Sequence, residues 1–228
     1  RVLFRSLRQL TGVQSHVVAR NRGHVLFGSG QRVNRQFLAG HGKHLHGEGS
    51  GNAAAGQSSR GMLLAQRLEP FDPLWFEEPI PPGQPEAMGQ VAAKTTIPIA
   101  TGERLTTKYE FYDLLRAGGA SILQMNVARV GGLLEAKKIA GMAEVFGAQI
   151  APHLYNGPIG AAASIQLAAC TPNFLIQESI MTFGGFHAEI LKKPLQWEDG
   201  HLIPSREPGL GVELDLDEIY RDPWAEAT

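Results

Sequence analysis

The chain has 228 residues, 43% hydrophobic and 19% charged, with a formal net charge of −1. These totals describe an ordinary globular domain and exclude an overall electrostatic case for binding nucleic acid or an acidic membrane. The single cysteine, Cys170, excludes an internal disulfide and fits a reducing, cytoplasmic setting, and no apolar run approaches the ~18 residues that span a bilayer.

The average conceals a split. Residues 1–60 hold nine basic residues and one acid, Glu48, whereas the remainder holds 12 basic and 21 acidic residues. All 14 prolines lie at Pro70 or later. Arg1-Val2-Leu3-Phe4-Arg5-Ser6 resembles a translated adapter, and the stretch after it reads like coding sequence out of frame. No native core is expected from residues 1–60, although the apolar alternation of Val17–Phe27 suits a strand or hairpin. The histidines from His41 to His46 match no standard zinc spacing. One lysine, Lys43, is poor support for a nucleic-acid-binding tail.

After Pro70 the pattern becomes regular. Strands are predicted at Leu74–Glu78, Ile97–Thr101, Ile122–Met125, Gln149–Pro152 and Phe174–Gln177. Helices are predicted between them, over Pro85–Lys94, Lys108–Arg116, Leu133–Phe146 and Gly160–Cys170. Glycine past helix ends and proline near helix starts suit those positions. Alternating strand and helix demands a parallel sheet, because each strand needs a crossover to return. Such units fit a doubly wound sheet or part of a (β/α)8 barrel.

The strand ends favour the barrel. Each strand is followed at once by a polar group: Glu77, Glu103, Asn126, His153 and Glu178, at intervals of 26, 23, 27 and 25 residues. A barrel gathers all its carboxyl ends round one mouth, whereas a doubly wound sheet concentrates ligand groups at one switch point. No glycine-rich phosphate loop supports a nucleotide-binding alternative.

These groups have chemistry available to them. Adjacent parallel strands lie about 4.8 Å apart, so Glu77 and Glu103 can reach one point. Two close carboxylates repel unless a cation or proton lies between them, and hard oxygen ligands suit Mg²⁺. The structural alternative is a pair of rim carboxylates held by Arg104 or Lys108. His153 faces the same mouth and is a candidate for acid–base work. Asn126 is a candidate for orienting His153, and Glu178 for a hydrogen bond with a ligand hydroxyl. Trp75 and Phe76 read as packing, and Gly131-Gly132 as a tight turn.

The motifs Trp75-Phe76-Glu77-Glu78-Pro79, Ala100-Thr101-Gly102-Glu103-Arg104-Leu105, Val130-Gly131-Gly132, Ala151-Pro152-His153 with Gly157-Pro158, and Gly209-Leu210-Gly211-Val212-Glu213 occur in that order. They resemble the mandelate racemase/muconate lactonizing enzyme family of the enolase superfamily, in particular its galactonate dehydratase-like members. The resemblance covers about Leu63–Leu216. It implies a partial barrel of about strands 4 to 8, with the capping domain and first strands missing. Residues 1–62 stand unmatched, 63–190 form the barrel part, and 191–228 correspond to the segment that packs on the capping domain. It further implies Glu77 and Glu103 as ligands of one Mg²⁺ ion, with His153, Asn126 and Glu178 as catalytic-site residues. The implied reaction removes the proton α to a carboxylate and expels the β-hydroxyl, converting a sugar acid to a 2-keto-3-deoxy acid. A homo-oligomer is compatible with the family, whereas nucleic-acid and membrane partners are not expected.

Three positions depart from the family pattern. The first metal ligand, an Asp expected near Gly51, has no acidic counterpart there; Glu48 is nearest. The second-strand lysine pair is absent. Asn126 stands where an Asp normally partners the histidine, and an amide does not stabilise an imidazolium as a carboxylate does. A racemase or cycloisomerase on the same scaffold, or a barrel kept for binding alone, are the alternatives. The chain as written is expected to bind metal weakly and turn over little.

Overall fold

Two hydrophobic layers lie on opposite faces of one sheet, and strand alternation sorts residues between them. The computed structural model describes residues 2–5, 17–19, 50–179, 183–198 and 200–221. Strand β3 (Pro73–Glu77) sends Trp75 to one face, where it packs with Ala100, Ile122, Ala151 and Ile176. It sends Phe76 to the other, where Ile99, Phe111, Leu123 and Ile150 meet the helices. Successive side chains of a strand point to opposite faces, so this division follows from the sequence.

The five-stranded sheet has the order β2-β3-β4-β5-β6, with β2 at Val17–Ala19, β4 at Ile99–Thr101, β5 at Ile122–Leu123 and β6 at Gln149–Ile150. From β3 to β6 every pairing is parallel and spatial order follows chain order. A parallel bridge from Ile150 to Phe174 carries the run toward β7 (Gln177–Glu178). An α/β fold with a parallel sheet is the result, and the absence of a strand-order reversal from β3 to β6 fits part of a (β/α)8 barrel. The predicted strands are longer than those formed. At Ile97–Thr101, Pro98 has no N–H to give a ladder, and the strand begins at Ile99.

Helix α1 (Ser50–Leu68) crosses the boundary drawn near residue 62. Its Gly61 admits a close neighbour: a Cβ there would lie 3.1 Å from Ile80 Cγ2. The position near Gly51 where a third-strand acid was expected is therefore helical, and Glu48 lies outside the described residues. The remaining helices are α2 (Pro85–Ala92), α3 (Lys108–Arg116), α4 (Leu133–Val145), α5 (Pro158–Ala169), α6 (Phe186–Glu189) and α7 (Leu216–Tyr220). Helix α3 opens on a capping box, with Thr107 Oγ1 accepting from Glu110 N and the Glu110 carboxylate accepting from Thr107 N. Gly131 and Gly132 take φ of 97° and 94°, which accounts for both as a tight turn into α4.

Two upstream strands join these sheets. Val17–Ala19 pairs antiparallel with β3, and β1 (Val2–Arg5) pairs parallel with β7 and antiparallel with β9 (His201–Leu202). Strand β8 (Trp197–Glu198) completes that second sheet of order β7-β1-β9-β8. Strand formation was anticipated over Val17–Phe27, of which 20–27 lies outside the described residues, as does the histidine run His41–His46. Among the described residues, no helix is long and apolar enough to cross a membrane.

Candidate active site

Alternation at the end of β3 separates two neighbouring carboxylates. Glu77 shares its strand face with Trp75 and is buried. Its Oε2 accepts a hydrogen bond from Gln124 Nε2 at 2.7 Å and one from Trp75 Nε1 at 3.2 Å. Glu78 turns away, with φ of 41°, a left-handed conformation that costs a non-glycine residue about 1–3 kcal/mol. Arg104 Nη2 holds it at 2.8 Å and Thr101 Oγ1 donates to it at 3.3 Å. Burial pushes the Glu78 carboxyl above its ordinary range, and Arg104 pulls against that shift.

Arg104 and Lys108 were the candidate partners for a structural pair of rim carboxylates. Arg104 is engaged with Glu78, and Lys108 Nζ reaches Glu135 at 2.8 Å. Glu103 meets a different group: His153 Nε2 stands 3.3 Å from its Oε2. The same Nε2 lies 3.7 Å from Glu178 Oε2, which also accepts from Leu154 N at 2.8 Å. Burial raises the Glu178 carboxyl; His153 and the Leu154 N–H oppose this, while the charges of Glu77 and Glu103 add to it.

Asn126 supports this group from β5. Its Nδ2 lies 2.9 Å from His153 Nδ1 and donates to Asn156 Oδ1 at 2.6 Å. Behind His153 and Glu178, Ser164 Oγ donates to Gln177 Oε1 at 2.6 Å and Gln177 Nε2 donates to Pro152 O at 2.7 Å. This buried link ties α5 to the two strand ends that carry His153 and Glu178. The structure thus draws the five anticipated residues to one end of the sheet, with His153 contacting Glu103, Glu178 and Asn126.

Gln124 and Asn156 were not anticipated at the site, and Trp75, expected to pack and found in the core, also donates to Glu77. Period-two alternation was a usable signal for two of them, since Trp75 precedes Glu77 by two and Gln124 precedes Asn126 by two. Asn156 lies in a loop, where no periodicity operates.

The donor chemistry fits Mg²⁺. Glu103 and Glu178 both approach the His153 imidazole, a balance short of positive charge, and Mg²⁺ is commonly held by one or two carboxylates with water completing its shell. Among the described residues no group of three or more His, Cys, Asp or Glu stands ready to hold a metal ion; Glu77 at the end of β3 and Glu103 just after β4 are the carboxylates that would hold one.

Comparison with known proteins gives concordant matches. The enolase C-terminal domain-like family matches residues 52–219. A D-galactonate dehydratase from Klebsiella pneumoniae (strain 342) is 41% identical over 166 residues, 69% of this chain and 43% of that protein. The chain therefore spans less than half the length of the curated relatives it matches. A solved structure carrying the name mandelate racemase/muconate lactonizing enzyme, from Burkholderia SAR-1, is 76% identical, with a TM-score of 0.70 over 72% of this chain and 41% of that one. An enolase from Agrobacterium radiobacter, with bound Na and L-malate, is 31% identical, with a TM-score of 0.66 over 71% of this chain and 45% of that one.

Proposed function

Because the chain belongs to the enolase C-terminal domain-like family, within the mandelate racemase/muconate lactonizing enzyme branch, we propose that it carries the C-terminal part of a Mg²⁺-dependent acid-sugar dehydratase site. The lyase activity, a carbon–oxygen hydro-lyase reaction on an aldonate of galactonate type, follows the names of the relatives at 41% identity. The observation that carries the reading is the approach of Glu103 and Glu178 to His153 Nε2, with Glu77 at the end of β3 beside β4. The hydroxy acid and cation in the Agrobacterium radiobacter neighbour support a ligand of the same chemical type.

Glu77 and Glu103 would hold the metal, with Gln124 and Trp75 aiming the Glu77 carboxylate. A bound Mg²⁺ supplies charge stabilisation for the carboxylate of a substrate losing its α-proton, worth several kcal/mol. Glu178, with its raised titration, is suited to sharing a proton with a substrate oxygen. His153 presents Nε2 to the same space. The Ser164–Gln177–Pro152 link keeps the two strand ends in register beneath them.

The test has two arms. Titration calorimetry with Mg²⁺ is expected to show weak binding to this chain and none to the Glu77→Gln variant; absence of heat in both would remove the metal reading. Incubation with D-galactonate is expected to yield little 2-keto-3-deoxy acid, and any keto product identifies dehydration. Exchange of the α-proton for solvent deuterium without a keto product would instead assign a racemase.

A further inference from the structure

The amide of Asn126 has a single workable orientation. Its Oδ1 accepts from the backbone N–H groups of Ala128 at 3.0 Å and Arg129 at 3.2 Å. Two backbone donors can be met only by the oxygen, so Nδ2 points the other way. There it donates to Asn156 Oδ1 and lies 2.9 Å from His153 Nδ1. An amide nitrogen offers no lone pair, so Nδ1 must be the acceptor and carry no hydrogen. The proton of the neutral ring then resides on Nε2, the nitrogen that faces Glu103 and Glu178.

We infer that Asn126 is a positioning residue that holds His153 as the neutral Nε2–H tautomer, so that the ring offers substrate a hydrogen-bond donor and not a base. A base needs a lone pair on the atom that faces the substrate. Nε2 has none in this tautomer, and the lone pair on Nδ1 is turned aside and engaged by Asn126. A neutral imidazole can still polarise an oxygen by donating to it. Removal of the α-proton falls to a different group. The inference rests on the dehydratase reading for its meaning, since the oxygen addressed is that of a bound hydroxy acid.

The niche for this arrangement is built into α5. A Cβ at position 160 would come 2.7 Å from Asn156 Cβ, so Gly160 leaves room for Asn156 to close the network. With Asn126 fixed by Ala128 and Arg129, Asn156 must in turn show its oxygen, because its own amide nitrogen would meet another donor. The tautomer of His153 is thus the last step in a chain of forced orientations that starts at two backbone N–H groups.

Nitrogen-15 magnetic resonance of the whole chain tests it. The pattern of two-bond couplings between ring nitrogens and carbon-bound protons reports which nitrogen is protonated, read above the ordinary histidine range of about 6.5. Eight histidines are present, and His153 is assigned by the signals lost in His153→Gln. The expected result is a bare Nδ1 and a protonated Nε2 in the parent chain. Asn126→Asp replaces the donor with an acceptor of the same shape, and Nδ1 is expected to gain a proton. A proton on Nδ1 in the parent chain would overturn the inference, as would a folded Asn126→Asp variant with Nδ1 still bare. The parent measurement stands even where the variant fails to fold. Because this readout needs no turnover, failure of the dehydration assay would count against the proposed function and leave the tautomer assignment intact.

Discussion

Glu178 is half-buried, and desolvation holds its carboxyl above the ordinary range, with the charges of Glu77 and Glu103 adding to the shift. A group whose folded-state pKa is raised contributes stability that is present below its unfolded value and lost as pH rises through the folded one. For Glu178 the loss begins near the ordinary value of 4.5 and is complete above the raised folded value. Glu178→Gln removes the ionisation while keeping an oxygen for the Leu154 N–H. Without divalent cations, this variant is expected to melt higher than the parent at neutral pH, by about 2–4 °C, the effect of roughly 1 kcal/mol at this size. The gap should close toward about pH 4, where the parent carboxyl is protonated. Thermal melts followed by circular dichroism decide it, and an unchanged or lower midpoint at neutral pH would contradict the burial argument. At this scale the strand-end residues were legible because a parallel barrel puts strand ends at its mouth. The Asn126 environment was half legible: the amide in place of a carboxylate is visible in the sequence, but its orientation depends on the Ala128 and Arg129 N–H groups, which only folding positions.

Helices α2 and α3 approach through a glycine. A Cβ at Gly89 would lie 2.1 Å from the carbonyl oxygen of Ala117, at the end of α3. Alanine is the better helix former by about 1 kcal/mol, so propensity alone favours Gly89→Ala. Steric overlap with backbone is the larger effect, because neither helix can yield without disturbing the layer beneath that holds Met88, Phe111 and Leu114. The variant is expected to lose about 1–3 kcal/mol in urea denaturation. A gain in stability would mean that the helices part easily. The helices between strands were readable from punctuation: Lys108–Arg116 forms as expected, with a threonine cap before it and glycine after it. Helix α1 was not, because Gly51, Gly56 and Gly61 break the usual signals and the helix is supported by tertiary packing against Ile80 and Pro79. Strand ends shortened where Pro98 interrupts the ladder or where single backbone bonds, such as Gln124 N to Thr101 O at 2.9 Å, continue the pairing without a full strand.

For the molecule as a whole, the feature that marks the site is also the one that favours part of a barrel over a doubly wound sheet. Polar residues at five successive strand ends fit one common mouth, and the chain-ordered parallel pairing from β3 to β6 agrees with that arrangement. The pairing of β2 was not legible beyond its apolar alternation. Its partner lies more than fifty residues downstream, and nothing local specifies an antiparallel register against Pro73–Glu77. The charge contrast between residues 1–60 and the remainder likewise carries no information about which backbone groups meet.

The reversed strand Val17–Ala19 has a colloidal consequence. A long open strand edge offers its amides to another copy, and here the edge of the sheet is taken by a strand of only three residues, too short to template much pairing. Chain starting at Ser50 would lack that short strand and bare the outer edge of Pro73–Glu77. Such a truncation is expected to scatter light increasingly with concentration, while the 228-residue parent stays monodisperse under the same conditions. Equal scattering from both would show that residues 1–49, the strands Val2–Arg5 and Val17–Ala19 among them, are dispensable for keeping molecules apart.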